Sequence, residues 1–343
     1  MSAALFLPLL AALLASLFAI LLVDQWLRRR RPYQLAWAVG VAMFGVAALA
    51  EVLGTASGWN GVLFRLWYLT GALWVAAWLG LGTMLLLSRT RFGYAFALAI
   101  FLAGLFTFLA RHRYGDAGPW PIVYFGVAGA LALIVAWDTA LGGTIWARLF
   151  TAILVLGTAG SAIMLASAPL GDPTSWIRPE TGLPNLDLLP ASIRLLSPLF
   201  NVTGGLALVF GAIFSAYVFM PKRRVLYYSL DPDQKADELA FNLAISLVAF
   251  PVNFVASLPG AVRAFMSGRL HSRVTATVLI ALGGSVASVG TGLARFGEVR
   301  AFDLSLVAGL GLLFAGFLAS VETFEDLRIP FTSRLIWHRD ARP

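Results

Sequence analysis

The chain has 343 residues, of which 59% are apolar and 12% charged, with a net charge of +8 and a mean hydropathy of +0.83. Soluble domains carry about 25% charged residues, so composition excludes an ordinary water-soluble enzyme and points to a single multi-pass membrane bundle. The absence of Cys excludes disulfides, iron–sulfur clusters and thiolate zinc sites.

Nine stretches reach the roughly 20 apolar residues that a membrane helix needs. The first, 3–23, lacks a basic leader and runs into Arg28, Arg29, Arg30 and Arg31, so it reads as a span with its N-terminus outside and not as a cleaved signal. Spans then follow at 34–53, 62–87, 94–110, 120–137 and 149–168. An outer loop, 169–194, holds five prolines and is long enough to lie over the bundle as a lid. The seventh span is 195–219, and the cytoplasmic linker 220–273 follows it. Spans at 274–293 and 304–321 and a cytoplasmic tail, 322–343, complete the pattern. With the N-terminus outside, the inner side receives 18 of the 25 Lys and Arg residues, as the positive-inside rule requires.

A tenth apolar stretch, 239–258, lies within the linker. Asn242, Ser246, Ala249, Asn253 and Ala256 form a small or polar stripe on it, and Pro251 interrupts it. Inserting it as a span would flatten the charge asymmetry. It is therefore expected to lie at the cytoplasmic interface, with Arg263, Arg269, His271 and Arg273 facing anionic headgroups. The acids before it, Asp231, Asp233, Asp237 and Glu238, suit a helix start, with Asp233 as N-cap.

The expected fold is thus all-α: an integral membrane protein of about nine transmembrane helices, N-terminus out and C-terminus in, plus one interfacial helix. His112, His271 and His338 lie in loops or at segment ends, which disfavours a haem between helices. Lys222 and Lys235 share one polar stretch, so no span offers an amine to retinal. No phosphate-binding glycine motif is present and no cofactor is implied.

Ionisable groups inside apolar helices are functional candidates by default. Glu51 and Arg65 occupy the same outer depth on adjacent spans and are expected to form an ion pair, either as a structural clasp or as a polar recognition site, with Arg295, Glu298 or Asp303 as possible third members. Asp138 and Arg148 are expected to pair at the inner side. Trp67, Trp74 and Trp78 fall at i, i+7 and i+11 on one face of the third span, with Trp37 opposite. They anchor and pack the bundle or line a groove for a lipid tail or polyene. Asn201, Thr203 and Ser285 would line any path for a neutral solute, and His112 with Asp116 would serve a lipid-modifying enzyme.

The arrangement of spans resembles the hairpin-built membrane input modules of bacterial multi-helix sensors and bacterial multi-pass inner-membrane proteins of like size. That resemblance covers the spans only and implies no residue roles. The expected function is non-catalytic binding of an apolar molecule or a membrane partner in a bacterial inner membrane. A small-solute facilitator is the alternative, and a lipid-modifying enzyme a remote one. The expected partners are the bilayer, a membrane protein or a second copy of the chain, and not nucleic acid.

Overall fold

The computed structural model describes residues 3–115, 117–179, 182, 184–231, 236–294, 299–320, 326–332 and 334–338. Its long helices are α1 (Ala3–Arg29), α2 (Pro32–Ser57), α3 (Gly61–Leu87), α4 (Phe92–Leu109), α5 (Trp120–Ala140), α6 (Ile145–Ser167), α7 (Leu196–Phe219), α8 (Ala236–Met266), α9 (Ser272–Ala294) and α10 (Val299–Ala319). Ten helices are long and apolar enough to cross a membrane, one more than the nine expected, and α8 is the additional one. Local chemistry marks several boundaries. Pro32 opens α2, where its missing N–H costs nothing. The Asn60 side chain accepts from the N–H groups of Val62 and Leu63 and starts α3.

Six helices close a ring in which each packs on the next, in the order α1, α2, α3, α7, α9, α10 and back to α1. Helix α4 sits outside it against α7, α5 packs on α4, and α6 leans on α3 and α5. The ring is tight where α3 crosses α7: a Cβ on Gly204 would penetrate the backbone of Ala76, and one on Gly80 the backbone of Gly204. Small residues let helix backbones approach this closely.

Aromatic side chains fill the interior on both sides of that crossing. Phe18, Trp37 and Phe317 join α1, α2 and α10, and Phe92, Phe96 and Trp146 join α4 and α6. The outward faces are apolar as well, as at Leu133, Leu156 and Ile163, each at least 70% exposed.

The two ends of the bundle differ. At the lid end, loop 168–195 is compact: Asp187 pairs with Arg178 and Arg194, Trp176 Nε1 donates to the Leu170 carbonyl, and Arg194 also reaches the Tyr114 carbonyl. Its apolar residues Leu170, Leu189 and Ile193 pack on the first turns of α3. The opposite, basic end carries Arg28 to Arg31, Arg89, Arg91 and Lys222 to Arg224. There the tail forms a small antiparallel hairpin of β1 (Asp326–Arg328) and β2 (Leu335–His338). It docks on α1. Asp24, buried, accepts from the Phe331 N–H at 2.8 Å and from Arg28 at 3.0 Å, and Arg28 donates on to the Thr332 carbonyl.

Between α7 and α9 the chain makes a second hairpin. After Phe219 it runs extended along α8, with its backbone bound by the side chains of the sequence-visible stripe. Asn253 Oδ1 accepts from the Val225 and Leu226 N–H groups, its Nδ2 donates to the Leu226 carbonyl, and Ser257 Oγ accepts from the Arg223 N–H. Asn253 and Ser257 are each 1% exposed, so the stripe is an internal seam. Asp233 lies outside the described residues, and its capping role with it.

Candidate functional site

The sequence-derived candidates do not assemble into one site. Arg65 turns away from Glu51 and donates to the Leu165 and Ala168 carbonyls at the end of α6, at 3.0 and 2.8 Å, and to the Gly61 carbonyl. The expected Glu51–Arg65 ion pair is therefore not formed. The C-terminal carbonyls of α6 have no partners within their own helix and capture the guanidinium. Glu51 is buried and instead accepts from Trp67 Nε1 at 3.3 Å. Asp303 of α10, also buried, is near enough to act on it electrostatically, while Arg295 and Glu298 lie outside the described residues.

The Asp138–Arg148 pair is replaced in the same way. Asp138 Oδ2 accepts from the Trp146 N–H and caps the start of α6, and Arg148 is exposed. Both corrections share one cause: each charge lies within reach of backbone groups at a helix end, and those groups have no partner within their own helix.

The tryptophan face is split. Residues Tyr68–Trp74 form a π-helical segment, with the Val75 N–H bonded to the Thr70 carbonyl. Each wide turn takes an extra residue and rotates everything beyond it. Spacing that lines up on a regular helix therefore diverges: Trp67 points to α2, whereas Trp74 and Trp78 donate to Ser161 and Thr158 of α6 at 3.0 and 3.3 Å. The loosened Ala72 carbonyl is taken by Ser197 and Asn201 of α7, at 2.7 and 2.6 Å. Asn201 thus serves α3, Thr203 is buried in α7 and Ser285 is exposed on α9, so no common path joins them. His112 is exposed, with Nδ1 3.1 Å from the Leu109 carbonyl, and Asp116 lies outside the described residues.

Among the described residues, one concavity is an open groove at the lid end, lined by Leu53, Ser57, Asn60, Leu63 and Arg65, and another lies inside the ring at the basic end. Five helices line a cavity of about 50 Å³: Tyr33 and Trp37 from α2, Thr83 and Leu87 from α3, Leu208, Gly211 and Ser215 from α7, Arg273, Thr277 and Ile280 from α9, and Phe317 with Ser320 from the end of α10. Its floor is a chain of edge-to-face rings, Tyr33 to Trp37 at 5.2 Å and Trp37 to Phe317 at 4.6 Å. Such pairs keep aromatic side chains rigid. The Trp37 indole N–H is satisfied by the Leu79 carbonyl at 3.1 Å, which leaves its ring as an apolar wall. Arg273 opens α9 at the cavity's rim, its guanidinium 4.2 Å from the Phe219 ring centroid.

The site is thus apolar in its depth, with a cation and the hydroxyls of Thr277, Ser215 and Ser320 at its edge. At this size it has room for a few methylene-sized groups beside one anionic or hydrogen-bonding group, well below the roughly 300–1,000 Å³ of a pocket that encloses a whole ligand. Among the sequence candidates only Trp37 belongs to it. The contributing residues come from five helices spread over most of the chain, and no spacing within one helix marks them. Among the described residues, no group of three or more His, Asp or Glu side chains could hold a metal ion.

Comparison with known proteins finds no family model, no curated protein and no solved structure that matches this chain.

Proposed function

We propose that this chain is a multi-pass protein of a bacterial inner membrane that binds, without chemistry of its own, a short amphipathic molecule, or the end of a longer one, with a small apolar part and an anionic head. The observation that carries the reading is the ring cavity, with its Tyr33–Trp37–Phe317 floor and Arg273 at the rim. Membrane residence is supported by ten helices of spanning length and by apolar outward faces larger than soluble proteins expose. The positive-inside distribution puts the basic end, and with it the cavity's rim, on the cytoplasmic side, with nine helices crossing. A bundle core between helices is a common place for such ligands.

The test is to extract the protein in a mild detergent, record its native mass, and titrate it with a radiolabelled short-chain fatty acid and with its methyl ester. One acid should bind per chain, and the ester at least tenfold more weakly. Arg273→Gln should abolish that preference, because a hydrogen bond to a charged group contributes about 1.5–3 kcal/mol. Equal binding of acid and ester, or binding unchanged in both Arg273→Gln and a folded Ala276→Phe variant, would remove the cavity from consideration.

A further inference from the structure

The hairpin between α7 and α9 begins and ends at one place. Phe219, which closes α7, stacks on His271, which precedes α9, with ring centroids 5.0 Å apart. Helix α8 meets the bundle at that end, where Phe250, Phe254 and Ala261 pack on Tyr217, Met220 and Val274. From there the extended arm and α8 leave side by side. The six steps along the chain from Arg223 to Ser229 cover about 20 Å at roughly 3.3 Å each. The fifteen from Ser257 back to Asn242 cover about 22 Å at 1.5 Å each, and both ends of that match are hydrogen-bonded.

This pairing bears on how α8 can sit in a membrane. If it crossed, the extended arm would have to cross beside it. Hydrocarbon offers no water to unpaired backbone groups, each of which costs several kcal/mol there. The side chains of α8 satisfy the N–H groups of Arg223, Val225, Leu226 and Ser229, while those of Arg224, Tyr227 and Tyr228 have no protein partner among the described residues. Asp231 ends the arm and Asp237 and Glu238 fall in the first turn of α8, so these acids would emerge on the far side. At a membrane surface those groups meet water and headgroups.

The side of α8 away from the arm is also informative. Phe241, Val248, Val252, Val255, Val262 and Phe265 are each at least 38% exposed, and at 100° per residue they fall within an arc of about 140°. Arg263 borders that arc, the exposed cations Lys222, Arg223 and Arg224 lie along the arm, and Arg269 follows α8. An apolar arc flanked by cations fits an anionic lipid surface.

From this geometry we infer that the α7–α9 hairpin is an in-plane paddle. Its α8 arc is sunk among the acyl chains of the cytoplasmic leaflet, and Lys222, Arg223, Arg224 and Arg263 engage anionic lipid headgroups. The inference does not depend on the ring cavity or its ligand.

The protein has no native cysteine, so single reporters are simple to place. Phe241→Cys, Val248→Cys, Val255→Cys and Val262→Cys, spin-labelled in proteoliposomes of phosphatidylcholine and phosphatidylglycerol, should give one common shallow depth by power saturation. Leu133→Cys, 73% exposed on α5, calibrates the bilayer interior. Depth that runs from one surface through the centre to the other would overturn the proposal in favour of a tenth span. Labels exposed to water, or immobilised and shielded from lipid by a second copy or another protein, would overturn it in favour of that occupant. In a second arm, changing Lys222, Arg223, Arg224 and Arg263 to Gln should lower the enrichment of spin-labelled phosphatidylglycerol over phosphatidylcholine around the protein by about fivefold per cation at headgroup level. Unchanged enrichment would refute the headgroup contacts even if the depth is shallow.

Discussion

The lid end and the basic end of this bundle use charge in opposite ways. At the lid end Arg65 and Arg194 bind helix-end or loop carbonyls, Asp187 joins two arginines, and the loop is drawn down onto α3. At the basic end some charges are used likewise, Asp24 and Arg28 among them, but the ring helices still leave a cavity rimmed by Arg273, and a cationic hairpin projects beyond it. The lid end uses its charges to hold a loop in place, and the basic end keeps some of its charges beside a cavity. The difference rests on particular side chains and can be broken one side at a time.

The largest effect should come from the crossing that both ends share. Gly204→Ala puts a methyl group into the Ala76 backbone, and overpacking of this kind costs about 3 kcal/mol. The variant should lose its monodisperse peak on gel filtration in detergent, and a normal melting temperature would show that α3 and α7 slide apart freely. Next, Arg65→Met removes the guanidinium from three carbonyls and should destabilise the lid end by about 2 kcal/mol. Limited proteolysis within residues 171–190 should accelerate while fatty-acid binding stays constant. A parallel loss of binding would mean that the two ends are coupled.

At the basic end, Asn253→Leu removes the hydrogen bonds to the exposed Val225 and Leu226, at about 0.5–1.5 kcal/mol for each bond and confined to the hairpin. Hydrogen exchange at residues 223–229 should rise with the lid loop unaffected. The smallest effect belongs to Asp172, whose carboxyl is held below its ordinary value of 3.8 by the backbone N–H and the hydroxyl of Thr174. A lowered value means that the stabilisation is present above the ordinary carboxylate range and lost as pH falls through the lowered one. Exchange of the Thr174 amide should therefore rise on acidification from pH 5 to pH 2. Asp172→Ala should abolish the pH dependence, and a persisting dependence would assign it to another group.

Much of the fold was legible because apolar length is a one-dimensional signal. Nine of the ten long helices coincide with uninterrupted apolar stretches, and the Asn242–Asn253 stripe marked α8 as different before its partner was known. What stayed hidden depends on tertiary context. No residue type announces the wide turns at Tyr68–Trp74, yet they decide which way three tryptophans face. Arg65 and Asp138 suggest ion pairs in the sequence but bind backbone groups in the structure, because sequence displays side chains and conceals the unpaired carbonyls and amides at helix ends. The C-terminal hairpin depends on an acceptor, Asp24, some three hundred residues earlier. The cavity was least legible of all: Arg273 read as part of a basic connector and Phe317 as one more apolar residue in a span.

The ring places α1 beside α10, the earliest long helix against the last, and the Asp24–Phe331 bond ties the hairpin that follows α10 to α1 as well. During synthesis, then, the first helix must wait for nearly the whole chain to be made before its final neighbour exists. Until then Phe18 lacks Phe314 and Phe317, and the cavity lacks part of its floor. A nascent chain that stops before α10 would have every other ring helix but no enclosed site. Competence to bind would then be acquired at a single late moment, when the circle shuts.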